Sequence, residues 1–110
     1  AGRYMFGTEE IEFKYLGGPA RKSVNADRPG QLTGSGLTMN LAVANAVRLL
    51  GVALPQAIRM ASANPAAVLG LSRCKGRIEE GLDADLVLLD DSLAVKRCWV
   101  GGQCRYSRTG

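Results

Sequence analysis

The sequence contains no histidine in its 110 residues. That removes the commonest general base and the commonest metal ligand. Only three cysteines are present, Cys74, Cys98 and Cys104. They are odd in number and lack the Cys-x-x-Cys spacing of a structural zinc site, so they read as reduced thiols of a cytoplasmic protein. Aromatics are scarce. Six occur, and they fall in two groups toward the chain ends, Tyr4 to Tyr15 and Trp99 to Tyr106. Basic residues are scattered from Arg3 to Arg108, with Arg21-Lys22 and Lys96-Arg97 the only adjacent pairs. A net charge of +4 without clustering or interleaved aromatics describes a solvated surface and argues against nucleic acid as a partner. No apolar run approaches the ~18 to 20 residues of a membrane span, and no membrane partner is expected. The opening at Ala1 lacks the charged-then-apolar order of a signal peptide. The chain is therefore expected to be processed, cut for expression, or a fragment.

What remains is enough for a modest core, with 46% of residues apolar. From Tyr4 to Tyr15 the pattern has period two, Ile11, Phe13 and Tyr15 facing one way and Glu10, Glu12 and Lys14 the other, which predicts a half-buried strand ended by Gly17-Gly18-Pro19. A return strand over 20–25 and a turn through Asp27 to Gly30 are expected to follow. From Met39 to Leu50 the apolar residues Val43, Val47 and Leu50 share a helical face, and Gly51 stops the helix. Pro55 opens a second helix with Leu54, Ile58 and Ala61 as its stripe, and Asn64-Pro65 predicts a third that is capped by Asn64 and ends at Gly70. Their small residues imply close packing against something larger. Ala84 to Leu89 reads as a strand buried on both faces, and Ala94 to Val100 joins Gln103 to Tyr106 through the hairpin signal Gly101-Gly102. In that hairpin Trp99 faces Cys104, so Cys98 lies on the opposite face and the two cysteines neither bond nor share a metal.

Between the strands and the helices lies Gln31-Leu-Thr-Gly-Ser-Gly-Leu-Thr-Met39. Two glycines and small hydroxylated residues predict a loop that leaves the amides of Leu32 to Gly36 unshielded and delivers the N-terminus of a helix. Such a loop can hold an anion or a sugar hydroxyl at close backbone approach. The plainer alternative is that Thr38 caps the helix and the glycines only turn the chain. No complete catalytic constellation is visible. Asp90-Asp91 and Glu9-Glu10 are adjacent pairs whose members point apart in a strand, and Ser35 has no partner to make it a nucleophile.

Three stretches carry a resemblance. They are Leu32 to Met39, then Arg59-Met-Ala-Ser-Ala-Asn-Pro-Ala-Ala-Val-Leu-Gly-Leu71, then Gly76-Arg-Ile-Glu-Glu-Gly-Leu-Asp-Ala-Asp-Leu-Val-Leu-Leu-Asp90. The last two resemble the amidohydrolase superfamily at large, in which a metal-dependent (β/α)8 barrel carries a small β-sandwich. The first, of the form Leu-x-Gly-Ser-x-Leu-Thr-Met, is similar to the N-acetylglucosamine-6-phosphate deacetylases, as is the opening Ala1 to Gly7. Gln31 stands where threonine is frequent, and Asn40 where an acidic residue often follows the methionine.

The resemblance implies an α/β fold class: residues 1–72 the end of a barrel domain, with a hairpin, a substrate loop and helices, and residues 73–110 strands of the C-terminal β-sandwich portion. It implies hydrolysis of an acetamide by a metal-activated water in the complete enzyme, zinc being the expected divalent metal. The metal ligands and the catalytic aspartate would precede Ala1, so the chain alone is expected to be inactive, with no catalytic and no metal-binding residue. Of the family's functional positions, substrate binding maps onto Leu32, Thr33 and Gly34. The implied partners are an amino-sugar phosphate and the rest of the barrel, with a homo-oligomer left open. Two other readings stay open: a non-catalytic interaction module reusing an amidohydrolase tail, and another amidohydrolase of the dihydroorotase or allantoinase kind.

Overall fold

A computed structural model describes residues 1–109 and divides the chain into two units, one of residues Ala1–Thr38 and one from Met39 onward. The first unit is an antiparallel meander of β1 (Gly2–Phe6), β2 (Glu9–Phe13), β3 (Pro19–Lys22) and β4 (Leu32–Ser35), in that spatial order. The single strand expected over Tyr4 to Tyr15 is thus two strands. Gly7, at φ 63°, turns the chain at Thr8, and the alternation continues across the turn because Tyr4 pairs with Ile11 on the same face. Tyr4 meets Phe13 edge to face across the ladder, with ring centroids 5.9 Å apart.

On the other face of β2, the carboxylate of Glu10 accepts from the Ser23 hydroxyl and from the Asn25 amide at 3.2 Å. The Ser23 N–H donates to the Glu10 carbonyl at 3.0 Å. Ser23 is completely buried. Its hydroxyl, before the Asn25 amide and the charge of Arg3, holds the Glu10 carboxyl below its usual range against a desolvation that raises it. These bonds fasten the β3–β4 connection over a face of β2 that alternation alone would leave to solvent.

The second unit contains α1 (Met39–Arg48), α2 (Leu54–Ala61), α3 (Ala63–Val68) and a separate antiparallel sheet of β5 (Leu86–Leu89), β6 (Val95–Val100) and β7 (Gln103–Ser107). Val43 and Ala46 of α1 pack on Ala57 of α2, which is 1% exposed, with Val47, Val52 and Ala61 around them. Gly51 at φ 67° ends the turn after α1, and Pro55 lies in the first turn of α2. The cap of α3 is a correction. Ser62, not Asn64, holds the boundary position, because α2 and α3 are separated by that one residue and Asn64 is already helical. At the far end, Leu71 N–H donates to Ala66 O at 2.7 Å and Gly70 N–H to Ala67 O at 3.1 Å, a Schellman motif made possible by Gly70 at φ 72°.

Strand β5 also departs from expectation. Val87 and Leu88 are 57% and 45% exposed, so it is not covered on both faces among the described residues. The hairpin register agrees with the sequence: Trp99 pairs with Cys104, and all three cysteines are free. Among the described residues the buried apolar side chains are Ala20, Val43, Ala44, Ala46, Ala57 and Ala66, none larger than valine. Large apolar side chains such as Phe6, Leu16, Leu50 and Val68 stand exposed instead.

Candidate functional site

Leu32, Thr33 and Gly34 lie in β4, at one edge of the first sheet. This corrects the expectation of a loop. The stretch is extended because β3 pairs with it, through Pro19–Ser35, Ala20–Gly34 and Arg21–Leu32, with a bulge that leaves Thr33 unmatched. The connection before it is tight: Lys22 N–H donates to Gln31 O and Gly30 N–H to Lys22 O, each at 2.9 Å, while Arg28 and Gly30 adopt φ 57° and 80°. All four residues of β4 are exposed. An edge strand presents unpaired N–H and C=O groups along its outer side, so main-chain donors remain available there in the extended form. The amides that follow are occupied. Gly36 N–H donates to Gly18 O at 2.8 Å, and Leu37 N–H to the Ser35 hydroxyl at 3.0 Å.

Gly36 also lines a shallow cleft of about 200 Å³ with Ala1, Tyr4, Phe13, Tyr15, Leu16 and Gly17. Its walls are aromatic and aliphatic. No carboxylate, cysteine or amine side chain points chemistry into it.

The ionisable groups with the strongest partners lie in the second unit and serve the fold. Asp90 accepts from the Ser92 hydroxyl at 2.6 Å, the Ser92 and Ala94 amides at 2.9 Å and Arg108 at 2.8 Å. These bonds, the Ser92 hydroxyl foremost, hold its carboxyl far below the usual carboxylate range. Lys75 bridges Asp83 at 2.8 Å and Asp85 at 2.5 Å, and these bonds, that to Asp83 foremost, raise its ammonium above the usual lysine value. Asp85, held below its usual range chiefly by Lys75, also accepts from Gly101 N–H at 2.9 Å and so ties this segment to the β6–β7 turn. With these oxygens committed to structural donors, no histidine in the sequence and no convergent set of three Cys, Asp or Glu among the described residues, the chain does not fit a divalent metal.

The sequence profile of the amidohydrolase family matches residues 4–105. The chain belongs to the amidohydrolase family. It is 39% identical over 102 residues to an N-acetylgalactosamine-6-phosphate deacetylase of Escherichia coli O157:H7, covering 93% of this chain and 25% of that protein. It is 33% identical over 102 residues to the human N-acetylglucosamine-6-phosphate deacetylase, covering 93% of this chain and 24% of that one. Among solved structures, the N-acetylglucosamine-6-phosphate deacetylase of Pasteurella multocida superposes with a TM-score of 0.76 at 27% identity, over 96% of this chain and 26% of its own. The chain thus spans about a quarter of the length of these relatives, and its strands and helices match a piece of that amidohydrolase fold.

Sequence reasoning missed the approach of Gly36 to Gly18. The available signal was two glycine pairs, Gly17-Gly18 and Gly34-x-Gly36, at the ends of strands that pair. No helix among the described residues is long and apolar enough to cross a membrane.

Proposed function

We propose that this chain is the C-terminal part of an N-acetylglucosamine-6-phosphate deacetylase, which hydrolyses the acetamide of the sugar phosphate to an amino-sugar phosphate and acetate. The observation that supports it most is the match of nearly the whole chain to deacetylases of this substrate class, together with an exposed edge strand at Leu32 to Gly34. In this reading the outer main-chain groups of Leu32, Thr33 and Gly34 bind the sugar phosphate. Residues 1–72 belong to the end of the barrel domain and residues 73–110 to the small β-domain. The complete protein uses a divalent metal, zinc being the expected ion, which would supply an activated water. Its ligands lie outside this chain. A cytoplasmic location accords with three free thiols and a phosphorylated substrate.

The galacto epimer is the second reading, favoured by the 39% identity to the Escherichia coli relative. Acetate release by the complete protein, measured with the two N-acetylhexosamine 6-phosphates in parallel, tests both. Faster turnover of the gluco substrate supports the first reading and faster turnover of the galacto substrate the second. Turnover of neither would refute the proposed activity.

A further inference from the structure

The stretch Gln31 to Asn40 is exposed at every residue but one, and that one is Gly36. The reason is a stack of three layers in the first unit. Gly18 N–H donates to Tyr15 O at 3.1 Å, which folds the turn so that the Tyr15 ring covers the buried Gly18. A Cβ at Gly18 would come within 2.7 Å of that ring. On the other side Gly36 N–H donates to Gly18 O at 2.8 Å, and a Cβ at Gly36 would collide with that same oxygen and reach Gly17 C at 3.2 Å. Neither glycine can carry a side chain without moving the other layer.

We propose that Tyr15, Gly18 and Gly36 form a clamp that fixes the register of β4 and so positions the substrate stretch Leu32 to Gly34. The proposal rests on the function proposed above. Slipping β4 by one residue would place Ser35 or Leu37 against the Gly18 carbonyl, where only glycine fits, and would turn the exposed side of Leu32 to Gly34 inward. The bulge between Ala20 and Arg21 interrupts the ladder on the Leu32 side, so the clamp and the pairs Pro19–Ser35 and Ala20–Gly34 together hold the end of β4 that adjoins Gly34. These three residues touch no substrate in this account. They act through the strand, as positioning residues.

The test is made in the complete protein with Gly36→Ala, Tyr15→Ala and Tyr15→Phe. Tyr15 is exposed, so its truncation leaves the buried core intact. Gly36→Ala and Tyr15→Ala should each raise KM for the sugar phosphate about tenfold with kcat within about twofold, as loss of a positioned binding contact requires. Tyr15→Phe should behave as wild type, because the ring and not the hydroxyl covers Gly18. Unchanged KM in Tyr15→Ala, or an equal defect in Tyr15→Phe, would overturn the clamp. If the wild-type protein turns over neither sugar phosphate, the functional reading falls, and amide exchange still decides the clamp. Exchange about tenfold faster across Leu32 to Ser35 in Tyr15→Ala but not in Tyr15→Phe supports it, and equal exchange in all three proteins refutes it.

Discussion

Gly76 and Gly81 separate two costs that glycine substitution usually mixes. Both are glycines with positive φ, 101° and 89°, in the same connection between α3 and β5. A Cβ at Gly81 meets nothing within 4 Å, whereas one at Gly76 would lie 2.8 Å from Ala66 Cβ, 3.2 Å from Ala63 Cα and 3.3 Å from Ser62 O. Gly81→Ala should therefore cost only the backbone penalty of an L-residue at positive φ, about 1 to 2 kcal/mol. Gly76→Ala adds overpacking against the backbone of α3, a further ~1 to 3 kcal/mol, since two of its three neighbours are main-chain atoms that cannot rotate away. In urea titrations of the complete protein at fixed m-value, both midpoints should fall, and that of Gly76→Ala should fall about twice as far. Equal losses in the two variants would refute the close approach of this segment to α3.

Three further outcomes are expected. Asp90→Asn should lower stability at pH 7, and the difference from wild type should shrink as pH falls. The Asp90 carboxyl is depressed in the folded state, so its stabilisation is present above the unfolded value near ~3.9 and is lost as pH drops through the folded value. Melting curves from pH 7 to 3 should show a difference that holds to about pH 4 and begins to shrink below it, and a difference that grows toward acid would contradict it. The isolated chain of 110 residues should associate or melt broadly, because among the described residues the buried apolar ones are one valine and five alanines while large side chains are exposed. A sharp, concentration-independent transition in a monomer would contradict that. The isolated chain should also release no acetate from either sugar phosphate. Chelator-sensitive hydrolysis by purified 1–110 would show that the reacting groups lie here after all.

The helices were legible because their signals are local. An apolar stripe, Gly51, and Pro55 after Leu54 fix α1 and α2 from the residues alone, and Gly101-Gly102 fixes the β6–β7 register down to Trp99 opposite Cys104. Strand β4 was not legible. Leu-Thr-Gly-Ser has little intrinsic preference for extension, and it is extended because β3 pairs with it and Gly18 holds its end. The turn at Gly7-Thr8 was hidden by an alternation that continues in phase through it. Asn64 was misplaced because Asn-Pro usually opens a helix, and here Ala63 had already begun one after Ser62. At the candidate site, Leu32, Thr33 and Gly34 came from a resemblance, not from any chemistry their side chains carry. The contact of Gly36 with Gly18 is a backbone approach between distant residues, and its one trace in the sequence is the glycine pairs Gly17-Gly18 and Gly34-x-Gly36.

In the proposed function the main chain of Leu32 to Gly34 binds the sugar phosphate in the complete protein. Gly34→Val tests it most directly, because a Cβ there meets nothing within 4 Å in this chain, and the backbone strain of an L-residue at φ 158° is read separately as a loss of Tm. Loss of one backbone hydrogen bond to a charged or polar ligand group is worth about 1.5 to 3 kcal/mol, or about ten- to a hundredfold in kcat/KM. Thr33→Ala, which leaves the main chain in place, should be mild. With kcat/KM and Tm measured on the same preparation of Gly34→Val, the account predicts a fall of at least about tenfold in kcat/KM per folded molecule. An unchanged kcat/KM per folded molecule would contradict it and remove substrate binding from this strand.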